Sequence, residues 1–158
     1  MDETPALRRA VADDVAAVRV LTREAYAKWV PVIGREPLPM RADYDEAVRL
    51  HRIDLAFLDG GLAALIQTID KGDHLVIENV AVAPAFQGRG LGRYLLTHAE
   101  RLALDLGHGE VRLYTNRMFE ANVRLYLAFG YRIDREESSA LGVTVYMSKP
   151  LLPCDVAA

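Results

Sequence analysis

The spacing of apolar residues predicts a strand and two helices at the start of the chain. Residues 5–11 have the short apolar pattern of a strand. From Val15 onward, apolar side chains recur at helical spacing as far as Trp29, where prolines begin to interrupt the pattern. We therefore predict a helix that ends near Trp29 and a second, short helix over residues 43–51.

A hairpin and a buried strand are predicted next. The apolar runs over residues 52–58 and 61–69 are separated by Asp59-Gly60, a dipeptide typical of hairpin turns. Residues 74–83 form a third run, in which both alternating faces are largely apolar. Such a strand is typical of the centre of a sheet that is covered on both faces.

The second half of the chain predicts a parallel crossover followed by further strands. Apolar residues at helical spacing from Leu91 to Leu106 end at Gly107, and a short strand over residues 110–115 follows. A strand, a helix and a strand in this order form a crossover unit with parallel strands. The remaining predicted elements are a helix over residues 118–129 and strands over residues 131–136 and 143–149.

Composition and charge favour one globular unit without nucleic-acid or membrane partners. The chain has 158 residues, of which 51% are hydrophobic and 26% charged, and we predict a single domain over residues 1–158. The formal charge of −3 gives no general attraction for nucleic acid, and no apolar stretch is long enough to span a membrane. The single cysteine, Cys154, excludes an internal disulfide, and the acidic N-terminus lacks the apolar core of a signal peptide. A cytoplasmic protein is therefore expected.

A glycine-rich turn between the third strand and the long helix carries the clearest chemical signal. The sequence Gln87-Gly88-Arg89-Gly90-Leu91-Gly92-Arg93 places three alternating glycines directly before the helix. Glycines let successive backbone N–H groups point outward, and a helix N-terminus adds partial positive charge, so the turn predicts a diphosphate site. The spacing fits neither the dinucleotide fingerprint, which needs a glycine at Arg93, nor the P-loop, which needs Gly-Lys-Ser/Thr. A turn that only packs the helix against the strand is the alternative.

Two segments of the chain resemble one known family. Residues 87–92 match the Gln/Arg-x-x-Gly-x-Gly/Ala signature of the GNAT superfamily of acyl-CoA-dependent N-acyltransferases, and residues 77–84 resemble the central strand that precedes it. Residues 122–131 resemble the family's Asn-x-x-x-Tyr-x-x-x-Gly-Phe/Tyr segment. The resemblance spans residues 75–147, whereas residues 1–70 agree only in the order of their elements.

The resemblance implies an α+β fold and a binding mode for acetyl-CoA. The fold would be a central mixed, mostly antiparallel sheet of about seven strands, flanked by about four helices and splayed between the fourth and fifth strands. The pantetheine arm would lie in the splay, beside the backbone of Val80, Ala81 and Val82. Asn122 would hydrogen-bond the cofactor, and Asn116 is a further candidate that would equally serve as a helix cap. The diphosphate would be bound by Gln87, Gly88, Arg89, Gly90, Leu91, Gly92 and Arg93.

Glu78 and Tyr126 are the candidate catalytic residues. Glu78 shares a strand face with three valines, and a carboxylate in apolar surroundings is hard to ionise, which suits a general base for an ammonium group. A structural carboxylate that is paired with an arginine or that caps backbone N–H groups is the alternative. Tyr126 lies one helical turn after Asn122. The resemblance implies that its phenol contacts the cofactor and protonates the departing thiolate.

The acceptor side gives a weaker signal, and nothing indicates a metal. Trp29, Arg35 and Tyr44 lie in the segment expected to border the acceptor, although the same residues would serve in a proline-stiffened loop. The four histidines lack metal-ligand spacing, and no serine or cysteine stands in a nucleophile motif. We therefore predict neither a metal nor a covalent intermediate.

Together these features predict an acetyl-CoA-dependent N-acetyltransferase. A primary amine of a small molecule or amino-acid derivative would attack the thioester directly, because positioning, amine deprotonation and oxyanion stabilisation suffice for this reaction. The alternatives are an acetyltransferase for protein or peptide amines and a non-catalytic acyl-CoA-binding sensor. A homodimer is compatible with the sequence.

Overall fold

The computed structural model describes residues 4–152, and its helices lie where the sequence predicts them. They are α1 (Val15–Tyr26), α2 (Val30–Ile33), α3 (Tyr44–Leu50), α4 (Leu91–Asp105) and α5 (Glu120–Ala128). Because α2 is a single turn of 4 residues, four longer helices remain, as expected.

The described strands form one mixed, seven-stranded sheet. They are β1 (Ala6–Arg9), β2 (Arg52–Leu58), β3 (Gly61–Asp70), β4 (Leu75–Val82), β5 (Glu110–Asn116), β6 (Arg132–Ser139) and β7 (Gly142–Pro150). Their order across the sheet is β1-β2-β3-β4-β5-β7-β6, and β4 with β5 is the one parallel pair among these strands. This arrangement confirms the predicted fold class and the central place of β4.

The first helix ends earlier than predicted. The buried positions of α1 have the expected helical spacing and are Val15, Val18, Leu21, Thr22 and Ala25. The α-helix ends at Tyr26, and a 3-10 turn over Ala27–Trp29 and then α2 continue the path as far as Gly34. Pro31 does not break α2, because the first turn of a helix does not use the N–H that proline lacks.

The described residues fall into two compact units, each with its own core. One unit contains the residues up to Ile69 together with Asn79–Leu95, and the other contains Asp70–Glu78 together with the residues from Leu96 onward. The core of the first unit includes Val18, Leu21, Tyr44, Ile53, Leu55, Leu65 and Ala81. Buried residues of the second unit include Leu96, Ala99, Ala103, Val111, Leu113, Val145 and Met147.

The two faces of β4 are covered unequally. The side chains of one face are at most 4% exposed and belong to Leu75, Ile77, Asn79 and Ala81. The side chains of the other face are only half-buried and belong to Val76, Glu78, Val80 and Val82. The expectation that both faces are fully covered is therefore wrong, because the packing of the chain closes only one of them.

The backbone ladder between β4 and β5 is short. It pairs Leu75 with Val111 and ends at the pair Ile77–Leu113, although both strands continue beyond this point. At the next position, a side-chain hydrogen bond joins Glu78 to Tyr114. The early end of the ladder is the feature that a splay between the fourth and fifth strands predicts.

Candidate active site

The turn before α4 takes the conformation that its glycines allow. Gly88 and Gly90 have φ values of 79° and 80°, in the left-handed region that other residues rarely adopt. An added Cβ would meet no atom within 4 Å at either position, so the backbone conformation, not lack of space, requires glycine. The carbonyl of Gly90 accepts the N–H of Tyr94 at 3.0 Å, so α4 starts directly after the turn. Leu91 and Gly92 form the start of this helix.

The same turn presents a row of backbone donors. Within residues 4–152, no hydrogen bond uses the N–H groups of residues 88–93. The first N–H groups of any helix lack partners inside the helix and carry its partial positive charge. Successive unpaired donors at a glycine turn and a helix start are the arrangement that binds phosphate groups through the main chain.

The two arginines of the turn are placed differently. Arg89 Nη1 lies 3.0 Å from Asp59 Oδ2 in the hairpin between β2 and β3, and its guanidinium lies 5.7 Å from the centre of the Phe86 ring. Arg93 is exposed and has no ion-pair partner in the part of the chain that the structure describes. Arg93 is therefore the arginine that is already available to an anion.

The end of β4 is joined to its surroundings through side chains. The carbonyl of Val82 accepts a hydrogen bond from Gln87 Nε2 at 3.2 Å, and the carbonyl of Val80 accepts a longer one from the Tyr26 hydroxyl at 3.4 Å. Each carbonyl oxygen has two lone pairs and can accept a second bond. Ala81 lies between them and is 3% exposed.

Glu78 accepts a hydrogen bond from a tyrosine of the neighbouring strand. The Tyr114 hydroxyl donates to Glu78 Oε1 at 2.6 Å. The wholly apolar surroundings expected for Glu78 are therefore not found, because β5 places a hydroxyl beside its carboxylate. An arginine partner, one alternative for Glu78, is also not found among the described residues.

Tyr126 is a buried, protonated phenol. Its side chain lies in α5, is 9% exposed and packs edge-on against Tyr131, with ring centroids 6.0 Å apart. Burial raises the pKa of Tyr126 to about 12. The phenol therefore keeps its proton at neutral pH and can donate it. Asn122, one turn earlier, is half-buried.

Comparison with known proteins identifies the family of this chain. The model of the acetyltransferase (GNAT) family matches residues 17–131, which is more than half of the chain. The chain belongs to the acetyltransferase (GNAT) family. The expected resemblance is thereby confirmed, and it extends into the first half of the chain, where sequence alone gave only an order of elements.

Relatives of this GNAT chain include one curated protein and many solved structures. The chain is 30% identical over 101 residues to streptothricin acetyltransferase of Streptomyces lavendulae, which is 58% of this chain and 53% of that protein. The chain thus spans about half the length of this curated relative.

Two solved structures share the fold of the chain. PaiA N-acetyltransferase of Thermoplasma acidophilum, in complex with coenzyme A, has a TM-score of 0.80 at 19% identity, covering 94% of this chain and 99% of that one. Nourseothricin acetyltransferase has a TM-score of 0.72 at 21% identity, covering 95% of this chain and 100% of that one. At these identities the likeness establishes the GNAT fold.

The remaining predicted GNAT site residues have different surroundings. Asn116 Oδ1 accepts the N–H of Met118 at 2.9 Å, so the side chain stabilises the turn after β5 and has its amide nitrogen left for a ligand. Trp29 and Arg35 are half-buried in the segment between α1 and α3. Tyr44 is 1% exposed and donates to the carbonyl of Pro39 at 2.6 Å. A direct contact with an acceptor would require Tyr44 to leave the core.

Sequence reasoning missed a buried polar contact in β4. Asn79 is 4% exposed, and its Oδ1 accepts a hydrogen bond from the Tyr26 hydroxyl at 2.9 Å. Its Nδ2 lies 3.4 Å from the Tyr44 hydroxyl. These contacts fix α1 and α3 relative to the end of β4. A lone asparagine in an apolar strand was the signal, because a buried amide requires hydrogen-bond partners.

The histidines serve structural contacts in this GNAT chain. His108 is 7% exposed and lies 2.7 Å from Asp70 Oδ1, while His51 Nδ1 lies 3.0 Å from Gln67 Nε2. Over residues 4–152, no three histidine, cysteine, aspartate or glutamate side chains come together as a metal site would require. Cys154 lies outside the described residues.

None of the helices within the described range is both long and apolar enough to cross a bilayer.

Tyr131 offers a test of the packing beneath Tyr126. Its hydroxyl is buried and has no hydrogen-bond partner among residues 4–152. A buried hydroxyl without a partner costs free energy, so we expect Tyr131→Phe to keep or raise the free energy of unfolding, by about 1 kcal/mol. Chemical denaturation of the two proteins measures the difference. A loss of stability in the variant would contradict this prediction and indicate that the hydroxyl is bound, for example by a buried water.

Proposed function

We propose that the chain is an N-acetyltransferase that transfers the acetyl group of acetyl-CoA to a primary amine of a small molecule or amino-acid derivative. The observation that carries the proposal is the row of unpaired N–H groups over residues 88–93 at the start of α4. Membership of the acetyltransferase family supports it. The curated relative, by its name, acts on the small molecule streptothricin, which supports a small-molecule acceptor here.

Acetyl-CoA would be held mainly by backbone groups. The N–H groups of the turn from Gln87 to Arg93 would bind the diphosphate, and Arg93 would add a charge that no internal carboxylate neutralises. The backbone of residues 80–82 would pair with the pantetheine amides, in the manner of an added strand. Asn122 and the amide nitrogen of Asn116 would supply further hydrogen bonds. Bound acetyl-CoA supplies the activated acyl group, as a thioester.

Glu78 is proposed as the general base. It would accept a proton from the ammonium group of the acceptor, either directly or through a water molecule. The free amine would then attack the thioester carbonyl, forming a C–N bond while the C–S bond breaks. The nitrogen would lose its second proton, directly or through water, to the phenolate that Tyr126 becomes when it protonates the thiolate. Glu78 suits this role because its carboxylate is half-buried on the more open face of β4, and because its second oxygen, Oε2, does not take part in the bond from Tyr114.

Tyr126 is proposed as the general acid that protonates the departing thiolate. The ordinary pKa of a thiol, about 8.5, lies below the pKa of Tyr126, about 12, so transfer to a fully solvated thiolate would be unfavourable. Apolar surroundings disfavour the charged thiolate and so raise the pKa of the thiol. The pKa values of the thiol and of Tyr126 would then lie closer together. Before the transfer, the phenol would stabilise the developing negative charge through a charge-assisted hydrogen bond.

The acceptor site is proposed to include Trp29 and Arg35. Both are half-buried, so they combine a fixed position with an accessible surface. Tyr44 is left out because its side chain belongs to the core. An indole and a guanidinium would favour an acceptor that carries an apolar or carboxylate group near its amine.

The proposed function is tested with acetyl-CoA and a panel of amines. We expect calorimetry to detect binding of acetyl-CoA and free thiol to be released with at least one small amine, streptothricin being the first to try. Absence of binding would contradict the proposal at its base. Binding without thiol release would indicate a sensor, and thiol release only with extended peptides would indicate a protein acetyltransferase.

A further inference from the structure

We infer that Tyr114 is a positioning residue for Glu78: it holds one carboxylate oxygen, so that the other is presented to the ammonium group of the acceptor. The inference rests on the proposed role of Glu78 as general base and adds a residue that the family signature does not contain. Its starting observation is the 2.6 Å hydrogen bond from the Tyr114 hydroxyl to Glu78 Oε1.

The place of this hydrogen bond in the sheet favours a positioning role. The parallel ladder between β4 and β5 ends at the pair Ile77–Leu113, and Glu78 and Tyr114 follow directly. Beyond the pair Ile77–Leu113, the backbones of β4 and β5 are not joined in the ladder. The hydroxyl of Tyr114 supplies a fixed contact at this place.

The raised pKa of Tyr114 defines which group donates this hydrogen bond. Burial, and then the hydrogen bond to Glu78, raise the pKa of Tyr114 above its ordinary value. Tyr114 is therefore the donor and the carboxylate the acceptor throughout the neutral range. The Tyr114 hydroxyl therefore holds Oε1 as a hydrogen-bond donor, while Oε2 takes no part in this bond.

The ring of Tyr114 is itself held in place. It packs against Tyr146 of β7, with ring centroids 6.0 Å apart, and the Arg135 guanidinium lies 3.9 Å from the centre of the Tyr146 ring. Arg135 also pairs with Glu137 at 2.8 Å. The contact between Tyr114 and Tyr146 is made by their aromatic rings and does not involve the Tyr146 hydroxyl.

A contribution to folding stability alone does not explain the hydrogen bond from Tyr114 to Glu78. The residue is 44% exposed, and a hydrogen bond in such a place adds little to folding because water competes for both groups. Loss of its hydroxyl should therefore affect the reaction more than the stability. This difference makes the inference testable.

The test compares Tyr114→Phe with Tyr146→Phe, its matched control on the same sheet face. With acetyl-CoA and the best amine of the panel, we expect Tyr114→Phe to lower kcat/KM roughly tenfold at pH 7, the range for losing a hydrogen bond to a charged group. The KM for acetyl-CoA should not change. Tyr146→Phe should leave these values unchanged, and similar melting temperatures would show that both variants are folded.

A double-mutant cycle decides whether Tyr114 acts through Glu78. In a Glu78→Gln background, Tyr114→Phe should cause no further loss. An equal loss in both backgrounds would overturn the inference. Full activity of the Glu78→Gln variant would show that Glu78 is not the general base, and it would overturn the inference as well. Failure of the proposed function is distinct, because it appears in the unmodified protein as absence of thiol release.

Discussion

Tyr126→Phe is expected to lower kcat by roughly 100-fold to 10,000-fold, the usual contribution of a general acid, while acetyl-CoA still binds. The phenylalanine keeps the ring that packs against Tyr131 and removes only the proton donor. The thiolate would then leave without a proton or a hydrogen bond. Steady-state kinetics give kcat, and calorimetry gives the affinity for acetyl-CoA.

Tyr131→Phe is the matched control for this prediction. It removes a hydroxyl of similar burial from the neighbouring tyrosine, whose hydroxyl has no hydrogen-bond partner within residues 4–152. We expect normal kcat in this control. A normal kcat in Tyr126→Phe as well would show that another group, or water, protonates the thiolate. Equal losses in both variants would indicate a change in packing and not in chemistry.

Gly88→Val is expected to weaken acetyl-CoA binding by about 100-fold, the effect of losing one or two hydrogen bonds to a charged group. A β-branched residue does not tolerate the φ of 79° at this position, so the turn would have to change conformation. Its N–H groups would then no longer point toward a common anion. Calorimetric titration with acetyl-CoA measures the effect.

Gly72→Val is the matched control for the turn. Gly72 has a φ of 93° and, like Gly88, an added Cβ would meet no atom within 4 Å, but it lies in the turn between β3 and β4. Both substitutions should cost a similar free energy of unfolding, through backbone strain. Only Gly88→Val should lose affinity. Equal losses of affinity, or none, would contradict a diphosphate site at residues 88–93.

The order of elements and the conformation of the glycine turn could be predicted because each depends on local sequence. The hairpin at Asp59-Gly60 and the strand–turn–helix around Gly88 are specified by short-range signals, namely positive φ and helical periodicity. The same holds for β4 as a central strand, since its composition is apolar throughout.

Features that depend on strand register could not be predicted. The neighbour of Glu78 follows from the pairing of Ile77 with Leu113, and a shift of one residue would have placed Tyr114 on the opposite face. The burial of Tyr44 could not be predicted for a related reason: an amphipathic side chain in a proline-rich segment gives no sequence signal of whether its ring faces the core. Both questions are decided by tertiary packing.

The hydrogen bond from Gln87 to Val82 shows what the first residue of the signature does in this chain: it joins the glycine turn to the end of β4. The signature allows glutamine or arginine there, and both side chains carry N–H donors that a strand carbonyl can accept, whereas only one of them is charged. In this chain an uncharged side chain therefore fastens the turn to the end of the strand. A turn fastened in advance loses little conformational entropy when its ligand arrives, so more of the interaction energy is retained as affinity.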